Sequence, residues 1–480
     1  MKKLDKKTLP NIIYIAVFIV MSLLPLFFFS DKQAAIGNET KTEAPKLSDG
    51  VELTANIDSY FAQNFGFRNG LVYVQNMLKE KLFKTSGQAD VIVGEDGWLF
   101  YGRALDDYLG TSVRGEVELD RMAAVVLMMQ EYVERQGGQF IFVSAPNKMS
   151  VYGEYMPYYY IEGKGSGNYE LLHERLTQLG VNTVQLKNTL SSKKLDGVQL
   201  YHRLDSHWNN YGAALAYEAM ADKLARVYGG EYADYTRYSG FGYTARNNFS
   251  GDLEAMLLPG SHKKDEQIEF DVEENFEYTN RFRGVDDLVI STENQTAAVD
   301  KSATLFRDSF GNALYWLFAN EYTSLTAKRE IPYNIYQAAE ESELVAVELV
   351  ERNLGNLLSY TPVVVSWNLG TEYFGDITKC TDTVEAVVRL NKTADGLVEL
   401  AGSCSGLENY AYIYLKFTGQ GAKDSAVYQV LPGEGGDFTL YLAQKDADIL
   451  EAGLDAAEYA FIVKNGNEYI ELPANLTLQD

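Results

Sequence analysis

Between residues 117 and 360 the chain switches repeatedly between a helical and a strand-like hydrophobic period, and this alternation constrains the fold more than any other feature. VELDRMAAVVLMMQEYVERQGG spaces its apolar residues as a helix does and stops at a Gly pair; QFIFVSAP follows as a continuous apolar strand, and LLHERLTQLG precedes the shorter strand NTVQL. The order recurs: WNNYGAALAYEAMADKLARVYG is an amphipathic helix, ATLFRDSF a strand running into a turn, GNALYWLFANEY a helix and ELVAVELV a buried strand. Strands separated by helices pair in parallel, because the crossover carries the chain back to the same edge of the sheet. The pattern therefore predicts an α/β domain over 51–360 with a mainly parallel sheet covered by helices.

The two flanks read differently. After about residue 361, segments such as ENYAYIYLKFTG, SAVYQVLPG and DFTLYLA are short strands divided by Gly-rich turns, which predicts a C-terminal all-β sandwich domain over 361–480. Upstream, VELTANIDSYFAQNFGFRNGLVYVQNMLKEKLF reads as two helices broken by Gly66 and Gly70, and ADVIVGEDGWLFYG as a strand, a turn at Asp96-Gly97 and a second strand. No period of 20 to 50 residues recurs, which excludes a repeat architecture.

At the start, Lys2, Lys3, Lys6 and Lys7 precede an uncharged, mostly apolar run from Ile12 to Phe29, about the length that spans a bilayer. Positive charge before such a run predicts a cytoplasmic N-terminus, a transmembrane helix within 1–30 and an extracytoplasmic remainder. A cleaved signal peptide obeys the same logic, but the run is long for one and FFFS stands where small residues would mark cleavage. Residues 31–50 are polar and without period, as a tether would be. The formal charge of −25 argues against nucleic acid as a partner. Cys380 and Cys404 are either a disulfide or two buried thiols, and the four scattered His residues give no ligand pair at helical or hairpin spacing, so neither metal nor cofactor is expected.

Two short words carry chemistry. In ATLFRDSFGNALYWLF an apolar strand ends at Phe306, Ser309 sits in the turn, and Gly311 opens a helix whose first amides face that turn and suit an oxyanion. In LDSHWNNYG, Asp205 and His207 stand two residues apart in an extended segment entering a helix, so that the Asp can orient the imidazole and the imidazole can serve as a base. The plainer alternative is that Asp205 caps the helix and His207 packs at its start. Arg307 and Asp308, flanking the Ser, suit a local ion pair that braces the turn.

Together, DGWLFYG, DSHWN and RDSFG, in this order after one N-terminal apolar run, resemble the bacterial SGNH-like proteins related to the alginate O-acetylation factors, and most of all their DHHW branch. The chain departs from that branch at Ser206, where the motif has a second His. The resemblance spans roughly 50–360 and implies a three-layer SGNH-hydrolase-like domain, with Ser309 as nucleophile, His207 as general base and Asp205 as its orienter. It also implies that the aromatic hydroxyl of Tyr315 flanks the site, and that VSAPNKMSVYGEYMP is a second site-lining loop whose Asn147 or Lys148 donates to an oxyanion or a sugar. Trp208 is either packing or a surface on which a sugar stacks, and the Tyr-rich stretches GEYMPYYYIEG and GFGYTARNNFSGD are further candidates for a carbohydrate groove.

The expectation that follows is a membrane-anchored, extracytoplasmic O-acetyltransferase or acetylesterase acting on a polysaccharide through an acyl-serine, with a membrane-bound O-acyltransferase partner as donor. The alternative is a catalytically silent glycan-binding scaffold.

Overall fold

The structure, a computed structural model, describes residues 8–30, 41–419, 425–447, 450, 454 and 457–479. Seven strands form the first sheet in the order Thr183–Val184, Gln139–Ala145, Leu344–Val350, Val299–Phe306, Tyr322–Lys328, Val289–Glu293 and Glu277–Tyr278. The first five run parallel, and the last two are antiparallel additions at one edge.

Alternate residues of each strand feed opposite cores, as the two-residue period requires. Ile141 and Val143, with Ala303, Leu305 and Ala346, pack beneath the helices Asn210–Tyr228 and Tyr315–Glu321. Phe140 and Phe142, with Phe306, Val345 and Val347, face Glu116–Arg135 and Ile335–Glu341 on the other side. Helices thus cover both faces, which is the three-layer α/β arrangement the alternation predicts. The hairpin Val91–Val93 and Leu99–Tyr101 forms as expected, with Asp96 and Gly97 both at positive φ between its strands. The upstream helices are Leu53–Asn64 and Arg68–Phe83, so Gly70 lies inside the second helix rather than breaking it.

The C-terminal region corrects the sandwich expectation. Its strands form one continuous sheet, from Ala426–Gln429 through Ile413–Gly419, Ala457–Asn465, Glu468–Leu478, Val384–Lys392, Val398–Cys404 and Asp437–Leu442 to Leu431–Pro432, with Ile377–Lys379 paired to Glu468–Leu478. The two end strands are separated in the chain by Val430 alone, so the sheet must curl until its ends nearly meet. A near-barrel results, filled by Leu400, Leu415, Phe438, Leu440 and Phe461. Alternating short strands with Gly turns fit either arrangement, because the period says which face is buried and nothing about how the sheet closes. Cys380 and Cys404 are both free thiols. Arg121, fully buried on Glu116–Arg135, ties the two regions by donating to the carbonyls of Leu407, Tyr410, Gly433 and Gly435.

Among the described residues, no helix is long and apolar enough to cross a membrane. The apolar run falls in the helix Thr8–Phe27, whose residues Ile12, Phe18, Val20 and Leu24 are all exposed. Of the polar tether, 31–40 lies outside the described residues; 41–46 has no regular structure, and Leu47–Glu52 is a 3-10 turn.

Candidate active site

In open parallel sheets, ligands meet the loops at the carboxyl ends of the strands. Here the strand Val299–Phe306 ends and delivers Ser309 at that edge, beside the ends of Gln139–Ala145 and Leu344–Val350. The turn is anchored to the sheet through Asp308, whose carboxylate accepts from the backbone amides of Phe310 (2.8 Å) and Val350 (2.9 Å) and from Asn353 (3.3 Å). Its own amide donates to the fully buried Glu348 at 3.1 Å, and burial together with the neighbouring Asp308 raises the Glu348 carboxyl well above its ordinary value. Arg307 turns the other way, donating to the carbonyls of Val285 and Asp287 and to Asn312. The expected Arg307–Asp308 ion pair is therefore not made: each side chain braces the turn separately, against different segments.

The base arrives from the other side of the cleft. His207 Nε2 lies 2.8 Å from Ser309 Oγ, and its Nδ1 lies 2.6 Å from Asp205 Oδ1. Asp205 Oδ1 also accepts the His207 amide at 2.9 Å, so one oxygen fixes both the backbone and the ring. Burial disfavours charge on the imidazole, but the carboxylates of Asp205 and Asp252 outweigh it and leave the pKa raised. Burial likewise opposes the charge on Asp205, yet His207 holds that carboxyl below the usual range. The helix that follows is capped by Asn209, whose side chain accepts from the amides of Tyr211 and Gly212 at 3.0 Å each. Asp205 is thereby released from the capping role that the plainer reading gives it.

Lys148 and Asn147 correct the sequence reading. The Lys148 ammonium is buried and donates to the carbonyls of Asp205 (2.6 Å), His202 (2.9 Å) and Arg203 (3.1 Å), beneath the Asp205 segment rather than in the cleft. Burial brings its pKa down to about 7, although Asp205 favours the charge. Asn147 gives its amide to Glu351 at 2.7 Å and its side-chain donor to Asp107 at 3.1 Å, while its oxygen accepts from Arg352 at 3.3 Å. Both residues are spent on positioning others. Trp208 is packing: 1% exposed, it donates to the Phe310 carbonyl at 3.0 Å. Gly311 lies in a 3-10 turn, Phe310–Ala313, and a Cβ there would stand 2.4 Å from that of Arg307. Tyr315 flanks the site with its hydroxyl 3.0 Å from that of Tyr278.

Two clefts meet at His207 and Ser309. The smaller, about 400 Å³, is aromatic, with Trp208, Phe249, Phe270, Tyr315 and Trp316 beside Asn210 and Gln267. The larger, about 960 Å³, is polar, with Arg103, Arg329 and Arg352 facing Asp252 and Asp286. Arg103 is paired to Asp90 and Arg329 to Asp286, whereas the Arg352 guanidinium rests against the rings of Tyr101 and Phe310. Phe249, on the hairpin Tyr243–Phe249/Asp265–Phe270, borders both clefts and stacks on His202 at 3.8 Å.

Sequence reasoning missed Asp252. Its carboxylate accepts from the Ser206 amide (2.7 Å) and hydroxyl (2.6 Å), and its amide donates to Asp205 Oδ2 at 2.8 Å. The SGD in which it sits reads as an ordinary helix start, and nothing local connects it to a segment 46 residues earlier. Asp205, His207 and Asp252 are also the group of described residues whose atoms converge closely enough to hold a metal ion. Those atoms are already engaged, Nδ1 with Asp205 and both Asp252 oxygens with Ser206, which suits a proton network better than a metal.

Comparison with known proteins agrees with the resemblance read from the motifs. Residues 91–308 match the family model described as ALGX: SGNH hydrolase-like domain, acetyltransferase AlgX. The matched span takes in Asp205 and His207 and ends one residue before Ser309. A probable alginate O-acetylase AlgJ of Pseudomonas fluorescens is 25% identical over 215 residues, covering 45% of this chain and 52% of the relative. The chain thus spans about half the length of the curated relatives it matches. Among solved structures, Bacillus cereus PatB1 with a sulfonyl adduct aligns at a TM-score of 0.43 and 17% identity, covering 55% of this chain and 95% of that one. A DHHW family protein from Eubacterium siraeum aligns at 0.39 and 15%, covering 55% and 94%.

Proposed function

With residues 91–308 matching the SGNH hydrolase-like acetyltransferase family, we propose that this protein is a serine-dependent O-acetyltransferase that modifies a polysaccharide. The observation that carries the reading is the unbroken chain from Asp205 Oδ1 through His207 to Ser309 Oγ, with links of 2.6 and 2.8 Å, where two clefts meet. A serine hydroxyl is a poor nucleophile until a base takes its proton in the transition state, and the base works only if its second nitrogen is held.

In this scheme His207 Nε2 takes the proton of Ser309 Oγ as that oxygen bonds to the acetyl carbonyl carbon. Asp205 keeps the proton on Nδ1 and stabilises the imidazolium. In the turn Phe310–Ala313 the Phe310 amide is held by Asp308 and the Asn312 amide by the Ser309 carbonyl, so the scheme assigns the developing oxyanion to the Gly311 amide. Collapse breaks the bond to the donor oxygen, which leaves with the proton from Nε2, and Ser309 carries the acetyl group. An acceptor hydroxyl then gives its proton to Nε2 and bonds to the acetyl carbon; the bond to Ser309 Oγ breaks, and Oγ takes that proton back from Nε2. Water in place of the sugar makes the same site an esterase; the aromatic cleft, with ring faces and amide side chains suited to a sugar, favours transfer.

We further propose that the folded bulk lies outside the cytoplasm with a membrane-bound O-acyltransferase beside it as donor; the lysines at the start of the chain and the exposed apolar residues from Ile12 to Leu24 support an attachment to the membrane surface. A fluorophosphonate probe tests the core of the reading. It is expected to label wild-type protein at Ser309 and to label His207→Ala far more slowly; a folded wild-type protein that stays unlabelled contradicts the proposal.

A further inference from the structure

The Nδ1 side of His207 is more crowded than a single orienting carboxylate requires. Asp205 Oδ1 lies at 2.6 Å, Ser206 Oγ at 3.3 Å and Asp252 Oδ2 at 3.9 Å. The Ser206 hydroxyl stands between the ring and Asp252, donating to that carboxylate at 2.6 Å, and the Asp252 amide closes the ring on Asp205 Oδ2 at 2.8 Å. Backbone packing builds this approach: a Cβ on Gly251 would lie 2.1 Å from the Leu204 carbonyl, and the Glu254 amide donates to that same carbonyl at 3.0 Å. Only a glycine at 251 lets the start of Asp252–Leu257 close on the Asp205 segment, and a residue as small as Ser206 leaves room for the carboxylate.

We propose that Asp252 is a positioning residue for His207, a second carboxylate that stands 3.9 Å from Nδ1 and is braced there by the Ser206 hydroxyl. The role assigned to His207 rests on the acetyl-transfer reading; the effect on the ring does not. The charged groups facing His207 are Asp205, Asp252 and Arg352, with Asp205 and Asp252 raising its proton affinity and Arg352 lowering it. Asp252 faces Asp205 and His207, and Lys148 stands behind both carboxylates. A unit charge about 4 Å away in water-like surroundings is worth on the order of one pKa unit, and more where solvent is excluded.

Only His173, His202, His207 and His262 occur in the chain, so the full-length protein labelled at histidine Cε1 gives a spectrum simple enough to assign, with His207→Gln identifying the signal. Asp252→Asn is expected to lower the His207 titration midpoint by about one unit. Ser206→Ala, which keeps the charge, is expected to move it much less. Asp252→Ser is the second variant should the amide disturb folding, with the same expectation as Asp252→Asn. A midpoint that stays where the wild type has it in a folded Asp252 variant overturns the proposal. Acetylation of Ser309 by p-nitrophenyl acetate, followed in the same preparations, keeps the two claims apart. A shifted midpoint without any adduct contradicts the acetyl-transfer reading alone, and an adduct with an unshifted midpoint contradicts the role of Asp252 alone.

Discussion

The two halves of the site are held in place by different physics. Ser309 is positioned by backbone: it follows a central parallel strand, and its neighbour Asp308 is hydrogen-bonded to the amides of Phe310 and Val350. His207 is positioned by side chains: its segment lies outside any strand or helix and hangs on Asp205, Lys148, Asp252 and Asp265, the last accepting from the Leu204 amide at 2.6 Å. A nucleophile set on a sheet edge tolerates changes around it that leave the sheet intact. A base set by buried charges depends on each of them and on pH.

The largest effect tests both halves where they meet. Asp205→Asn keeps the shape but removes the carboxylate that fixes Nδ1–H, and the rate of Ser309 acetylation is expected to fall on the order of 10³–10⁴-fold. A loss under tenfold would mean that the side-chain half matters less than the geometry implies.

Lys148→Met probes the side-chain half alone. It strips the donor from the carbonyls of His202 and Asp205, each worth roughly 1–3 kcal/mol when left buried without a partner, whereas the Arg203 carbonyl keeps the Leu99 amide. A lower urea midpoint and a slower acetylation rate are expected together; unchanged acetylation in a destabilised protein would detach Lys148 from the site. On the backbone half, Gly311→Ala sets a methyl 2.4 Å from Arg307 Cβ and must shift the turn, with an expected loss of about tenfold or more in rate.

The pH dependence follows from the raised His207 pKa. The reaction needs the neutral ring, so the rate of acetylation is expected to climb with pH through a midpoint above the ordinary value of about 6.5. Stability runs the other way: a folded-state pKa above the unfolded one favours the fold fully below about 6.5, and that contribution fades as pH rises through the folded value. A kinetic midpoint below 6.5 would break this part of the account. The smallest effect is expected from Trp208→Phe, which removes the indole donor from the Phe310 carbonyl, itself part of the 3-10 turn Phe310–Ala313, and costs about 1 kcal/mol of stability with little change in the acetylation midpoint.

The same contrast explains what the sequence made legible. Val299–Phe306 announces itself by its apolar run, and the turn to Ser309 follows from where that run stops, so the backbone half was readable from local pattern. Asp205 and His207 were readable because they are two residues apart. Lys148, which bonds to a carbonyl 57 residues away, and Asp252, which bonds 46 residues back, carry no local mark of what they hold. A lysine just after a strand reads as a surface residue until the fold brings a loop over it. Likewise the two-residue period of the C-terminal strands shows which side chains point inward, while the curl into a near-barrel depends on the pairing of Ala426–Gln429 and Leu431–Pro432 at opposite ends of the sheet.

The central claim is that Ser309, activated by His207, takes up an acyl group. Intact-mass spectrometry of the full-length protein after incubation with p-nitrophenyl acetate reads this directly. The account predicts a single acetyl adduct on wild-type protein, none on Ser309→Ala, and slow formation on His207→Ala. A folded wild-type protein without an adduct, or an adduct that persists in Ser309→Ala, would contradict it.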